Sequence, residues 1–462
     1  MKISYNLKDL REKAPLVHII SNSVTSDRVA DLSLLIGSSP MMTDYSKEVA
    51  EITEKSSALV LNMGMLNDDK VEAIKISAKI ANENKIPIVL DPVGVSSSKL
   101  RRDLAKYLIK NFKFNVIRGN FNEINYLVNG KTFTGVDSKD ADFTQNDFIN
   151  LAIKLNEKTG ATILVSGKYE IIANSHMVIS ICGGDENLKK ITGLGDMESA
   201  MIGSLLASPM SNLKACVLSS IFLRQIAKKD IRNNSITALD IIKNMQIIDE
   251  IKGEVDVLVP TYKFKEPTLY GISEGDKVLR IKNAVKGGMR IYQLRDKFAD
   301  EYKLGEKIIN IKKEIGEECL FILNDNLKLA EKYNVALHLG QDDERVSTAR
   351  KVLGRDKVIG ATAKTPELAI EAENMGASYI GTGAFFKTET KKDASMISLE
   401  NYKDIRDSVL IPVFPIGGVK RENLDFFSGV DIPGICMSKG IFSLKENEVE
   451  ENVREIINKL KI

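Results

Sequence analysis

Arg290-Ile291-Tyr292-Gln293-Leu294-Arg295-Asp296-Lys297 is an apolar run that turns polar at its end. Gln293, Arg295 and Lys297 alternate, and a period of two directs them to one face of an extended segment. The pattern recurs towards the C-terminus. Apolar runs at 269–272, 290–294, 320–323, 335–339, 358–361, 379–382, 412–416 and 434–437 are separated by helical stretches, and 446–460 reads as a closing helix. Polar clusters close most of the runs: Asn324-Asp325, His338-Leu339-Gly340-Gln341-Asp342-Asp343, Thr362, Thr388-Glu389-Thr390-Lys391 and Ile416-Gly417-Gly418. Eight strands in about 200 residues fit a minimal (β/α)8 TIM barrel, which gathers one site from many strand ends. Basic groups, paired acids and glycine turns at those ends suit a magnesium-bound, phosphorylated substrate. His338 reads as packed at the barrel mouth rather than as a base.

The whole chain has 462 residues, more than one ordinary domain holds. It is 43% hydrophobic and 28% charged, and its net charge of +2 leaves no basic excess for nucleic acid. Cys182, Cys216, Cys319 and Cys436 lack CxxC spacing and read as buried thiols, and the three histidines make no zinc pattern. Neither a signal segment nor a run near the roughly 20 residues that cross a bilayer is evident. The expectation is a cytoplasmic enzyme of small-molecule substrates, with no membrane or nucleic-acid partner. Pro260 and Pro267 flank a lysine-rich stretch. The cut falls there, giving domains 1–262 and 263–462.

The first half also alternates strand runs (16–20, 58–63, 86–90, 114–117, 162–165) with helical stretches such as 69–84 and 147–158. A hairpin is expected over 170–181, and mostly helix from 196 to 251. Thr192-Gly193-Leu194-Gly195-Asp196 precedes an apolar helical stretch. Gly193 and Gly195 there make an anion hole, from free N–H groups and the positive end of the helix dipole. Asp196 stands where it can take the proton of a hydroxyl attacking a phosphoryl group. Asp91, Arg118, Glu123 and Ser166 lie at or just beyond other strand ends, where open α/β sheets bind ligands.

In their order, the second-half motifs resemble thiamine phosphate synthase across that half. The resemblance implies coupling of a pyrimidinylmethyl diphosphate to a thiazole phosphate with release of pyrophosphate. Gln293, Arg295, Lys297, Asn324, Thr362 and Lys391 then bind the diphosphate substrate. Asp325 and Asp343 ligate Mg2+, and Thr388, Thr390, Gly418, Ser438 and Lys439 hold the thiazole phosphate. Departures are Thr362 for a usual Ser, Lys364 for a His, Asn326 for an Arg and Lys387 for a Pro.

The first-half set resembles hydroxyethylthiazole kinase, of the ribokinase-like group, over residues 5–250. Supporting segments include Asn22, Ser39-Pro40-Met41-Met42, Leu61-Asn62-Met63-Gly64 and Gly135-Val136-Asp137-Ser138. It implies ATP-dependent phosphorylation of a thiazole alcohol, with Arg118 and Ser166 on ATP, Met42 and Gly193 on thiazole, and Asp91 and Glu123 near Mg2+. It also implies a homo-oligomer built through kinase trimers. Asp196 stands where that family usually has Cys. A carboxylate is the better base near neutral pH, but its presence leaves open another vitamin-precursor alcohol as substrate. For the barrel, the alternatives are a thiazole isomerase or a non-catalytic sensor of precursors. The retained basic and acidic groups argue against both.

Overall fold

The computed structural model describes residues 1–130, 143–181, 191–228, 248–259, 268–387 and 396–460. Two compact units divide the chain, Met1–Val259 and Pro260–Ile462.

The first unit contains β1 (Lys2–Asn6), β2 (Leu16–Ile20), β3 (Ser39–Met42), β4 (Ala58–Asn62), β5 (Ile88–Asp91), β6 (Val116–Asn120), β7 (Thr162–Ser166), β8 (Glu170–Ala173), β9 (Val178–Ile181), β10 (Glu250–Glu254) and β11 (Asp256–Val259). Its main sheet runs β11-β9-β8-β7-β6-β5-β4-β2-β3. Strands β2 to β7 are parallel, so their C-terminal ends share one edge. The hairpin β8–β9 and strand β11 extend the sheet antiparallel. Strands β4 and β5 are buried throughout, which is why they read as unbroken apolar runs rather than alternating ones.

Helices fill the crossovers and carry local stop and start signals. Asn67 caps Asp68–Glu83, and Asn120 with Glu123 forms a capping box on Phe121–Asn129. Helix Leu194–Leu206 is almost wholly buried, and Asn212–Lys228 follows it.

β3 escapes the sequence reading because it is short and contains Pro40, which is tolerated here because β3 is the edge strand. The helical expectation to Ile251 is wrong at its end: Glu250 opens β10, which pairs with β1. Strand β11 was likewise unread, because its few residues gain their extended form from pairing with β9.

The second unit contains β12 (Thr268–Ser273), β13 (Ile291–Leu294), β14 (Leu320–Asn324), β15 (Ala336–Leu339), β16 (Ile359–Thr362), β17 (Tyr379–Thr382), β18 (Val413–Pro415) and β19 (Gly434–Met437). All the ladders are parallel, neighbours in sequence are neighbours in space, and β19 returns to pair with β12. This is a nearly closed parallel barrel. Its interior is packed by Tyr270, Ile272, Ile291, Ile322, Ala336, Val358, Tyr379, Phe414 and Cys436. Helix Glu446–Leu460 follows the last strand and buries Val449, Val453 and Ile456. Cys216, Cys319 and Cys436 are free and buried, and Cys182 lies outside the described residues. No described helix is long and apolar enough to cross a membrane.

Candidate active sites

In the first unit, helix Leu194–Leu206 starts at the shared strand-end edge. Gly193 caps it with φ of 83°, a left-handed conformation that glycine adopts without strain. A side chain on Gly193 would collide with Thr25, and one on Gly195 with the Arg118 guanidinium. Both glycines therefore let functional groups approach the first turn, whose N–H groups have no intrahelical partner.

Asp196 sits in that turn. Asn22 Nδ2 donates to its Oδ2 at 2.8 Å, Thr25 Oγ1 to the same oxygen at 2.6 Å, and Asn62 Nδ2 to Oδ1 at 2.8 Å. The amides are oriented by their other ends. Asn62 Oδ1 accepts from Gly64 N at 2.7 Å, and Asn22 Oδ1 accepts from Val24 N at 3.1 Å. Donors following β2 and at the end of β4 thus fix one carboxylate at a helix N-terminus.

Arg118 on β6 lies beside it. Its Nε donates to Glu198 Oε2 at 2.9 Å and its Nη2 to Ser166 Oγ at 2.9 Å. Its Nη1 stands 4.0 Å from Asp91 Oδ2. Burial opposes its charge, but Glu198, Asp91 and Glu123 together raise its pKa further. Glu198 is pushed upward by burial and then by the neighbouring Glu170 carboxylate, against the pull of Arg118. Removing one partner of such a buried pair strands the other charge. Glu198→Ala is therefore expected to cost the first unit about 3 kcal/mol, read by urea unfolding.

The expected ATP residues Arg118 and Ser166 thus meet directly. Met42 ends β3, and the following Thr43 carbonyl is held by His18 Nε2 at 3.1 Å. Burial pushes His18 down to about 4, so this pin is neutral. Of the expected metal acids, Asp91 is fully buried, accepts from Ser199 Oγ at 2.7 Å, and has an Oδ1 without a hydrogen-bond partner. Burial raises its pKa, with Arg118 pulling it back. That orphaned oxygen fits a cation. Glu123 fits less well, because both of its oxygens already accept backbone N–H bonds, from Gly94 and Asn120, each at 2.9 Å. Among the described residues, no group of three or more acids, histidines or cysteines forms a metal cage.

In the barrel, Gln293 is buried level with Ile272 and Ile322, its Nε2 donating to Tyr270 Oη at 2.7 Å. Tyr270 Oη meets Tyr379 Oη at 2.7 Å, Tyr379 Oη meets His338 Nδ1 at 2.9 Å, and His338 Nε2 meets Thr362 Oγ1 at 3.0 Å. A polar chain thus crosses the interior from Gln293 to Thr362, fixing both side chains. His338 is packed, both ring nitrogens being engaged by Tyr379 and Thr362. Tyr379→Phe breaks the chain in the middle and is expected to destabilise the barrel by about 1–3 kcal/mol in denaturant titration.

Asp325 follows β14 with φ of 65°, and its N–H donates to His338 O at 2.9 Å. Asp343 Oδ2 accepts from Gly340 N at 2.6 Å. Burial, and then the Asp343 carboxyl, push Asp325 up to about 6, against the pull of Lys297 and Arg295. Two carboxyls crowded together against their own charge fit a divalent cation, and the same observation sets Arg295 and Lys297 nearby. Asp296 between them faces elsewhere, paired with Lys307 at 2.6 Å. Gly417 and Gly418 take φ of 97° and 68° in the turn after β18. Ser438 precedes the short helix Lys439–Phe442 after β19. Thr388, Thr390 and Lys391 lie outside the described residues, as does the segment Gly135-Val136-Asp137-Ser138.

Sequence reasoning missed Thr25, Glu198, Tyr270 and Tyr379 as site-supporting groups. Glu198 carried a signal: a lone carboxylate in the run Met197-Glu198-Ser199-Ala200-Met201-Ile202 implies a buried partner. The tyrosines carried none, because their rings read as core.

These features define an α/β phosphotransferase fold joined in one chain to a β/α barrel with an acid pair and basic strand ends. Residues 7–256 match the hydroxyethylthiazole kinase family and residues 269–441 the thiamine monophosphate synthase family. The chain belongs to the hydroxyethylthiazole kinase family, and its second unit is similar to the thiamine monophosphate synthase family. The hydroxyethylthiazole kinase of Ruminiclostridium cellulolyticum is 38% identical over 47% of this chain and 80% of its own length. That of Clostridium acetobutylicum is 40% identical over 46% of this chain and 81% of its own length. Among solved structures, hydroxyethylthiazole kinase from Pyrococcus horikoshii is 25% identical, with a TM-score of 0.48, over 54% of this chain and 97% of its own. Thiamine phosphate pyrophosphorylase from Pyrococcus furiosus is 28% identical, with a TM-score of 0.38, over 43% of this chain and 96% of its own.

Proposed function

We propose that the two units carry out consecutive steps of thiamine biosynthesis. The first transfers the γ-phosphoryl group of ATP to the hydroxyethyl arm of a methylthiazole. The second couples that thiazole phosphate to a pyrimidinylmethyl diphosphate, giving thiamine phosphate and pyrophosphate. The observation that carries the reading is the Asp196 carboxylate, held by Asn22, Thr25 and Asn62 at the first turn of a buried helix.

In the first step, Asp196 takes the hydroxyl proton as that oxygen bonds to the γ-phosphorus and the bond to ADP breaks. The first-turn N–H groups and Arg118 stabilise charge on the transferring group. Mg2+ with ATP supplies further neutralisation of phosphate charge, and the buried Asp91 is the acid best suited to face it.

In the second step, the carbon–oxygen bond to pyrophosphate breaks and the thiazole nitrogen bonds to the methylene carbon. Gln293 and Thr362, fixed by the interior polar chain, orient the pyrimidine. Arg295 and Lys297 hold the leaving diphosphate, whose charge grows as it departs. Asp325 and Asp343 would hold Mg2+, which supplies Lewis-acid stabilisation of that group. Gly418, Ser438 and Lys439 serve the thiazole phosphate.

Substrate choice in the first step is tested by ADP release with a panel of alcohols. The thiazole alcohol should give the highest kcat/KM. A hydroxymethylpyrimidine preferred over it would overturn the assignment.

A further inference from the structure

Lys70 is 1% exposed, on the first turn of helix Asp68–Glu83, with its own N–H fixed by Asn67 Oδ1 at 2.8 Å. Its Nζ donates to Ser21 O at 2.5 Å and to Gly64 O at 2.6 Å. Ser21 precedes Asn22, and Gly64 donates its N–H to Asn62. Asn22 and Asn62 are two of the three side chains that hold Asp196. One buried ammonium therefore ties together the backbone that carries both amides.

A buried ammonium is costly unless its donors are used. Burial pushes Lys70 down to about 8, with Asp44 and Asp196 supporting the charge and Arg101 opposing it. The group is still mostly charged at neutral pH. Arg101 acts in the same region, donating from Nη1 to Met63 O and, at 2.7 Å, to Val93 O. Lys70 reaches both the segment after β2 and the segment after β4.

We infer that Lys70 is a positioning residue for phosphoryl transfer, acting through Asn22 and Asn62 on the Asp196 carboxylate. Its ammonium is engaged by the Ser21 and Gly64 carbonyls, so it acts on neither ATP nor the alcohol directly. Its contribution is the spacing of two strand-end loops, and a small displacement of a reacting group is costly in rate. The inference rests on the proposed role of Asp196.

The test uses the full chain. Lys70→Met is compared with Asn22→Ala/Asn62→Ala and with the triple variant, and thermal unfolding is recorded for each. Lys70→Gln takes its place if the methionine variant does not fold. The lysine variant should lose about tenfold or more in kinase kcat, with KM for ATP changed less than about threefold. In the background lacking both asparagines, the same change should cost less than about twofold further. An undiminished loss in that background, or unchanged kcat in the single variant, overturns the inference. Asp196→Asn is assayed in parallel. If that variant keeps its turnover, the reading of Asp196 itself fails. If it is inactive and the Lys70 effect is additive, only the role of Lys70 fails.

Discussion

Asp196→Asn is expected to lower ATP-dependent phosphorylation of the thiazole alcohol by about 100- to 10,000-fold, the usual contribution of a positioned general base. The substitution is nearly isosteric, but its NH2 replaces one oxygen that accepts from Asn22, Thr25 or Asn62, so thermal unfolding is recorded beside kcat to separate the loss of the base from any loss of folding. Coupling of pre-made thiazole phosphate by the barrel should be unchanged, which makes the second unit an internal control for protein concentration. Turnover within threefold of the parent would remove Asp196 from the mechanism. A thiol-for-carboxylate change, Asp196→Cys, should fall between the two, because a free thiol is mostly protonated at neutral pH.

The second large effect is expected in the barrel. Asp325→Asn combined with Asp343→Asn should reduce coupling by about 100-fold or more, because both carboxylates of the cation site are lost. Kinase activity should remain. The same double change should remove the crowding that pushes Asp325 up to about 6, so the barrel should not become less stable. Loss of activity together with a large fall in the unfolding midpoint would point instead to a structural pair. Full coupling activity in the double variant would exclude both acids from the cation site.

Much of the fold was legible because its signals are local. Strands β17 and β19 begin and end where their apolar runs do, and β8 and β9 form the expected hairpin. Strands β1, β3, β10 and β11 were not read. They are short or lie at sheet edges, and their extended form comes from pairing with residues distant in sequence, as β1 pairs with β10. The site divides in the same way. Asp196 and the strand-end acids stood out because glycine turns and carboxylates are conspicuous in sequence. Their supports did not. Nothing local says that Asn22 and Asn62 converge on one oxygen pair, or that Tyr270 and Tyr379 link Gln293 to Thr362. Those contacts join residues 23 to 174 positions apart and exist only once the strands are ordered.

The central claim is that one chain makes thiazole phosphate and then consumes it. The direct measurement is thiamine phosphate formed by the purified full chain from the thiazole alcohol, the pyrimidinylmethyl diphosphate and Mg2+, with and without ATP. Product that appears only with ATP, accompanied by equal amounts of ADP and pyrophosphate, is the expected result. Absence of product with ATP present, while pre-made thiazole phosphate is still coupled, would contradict it.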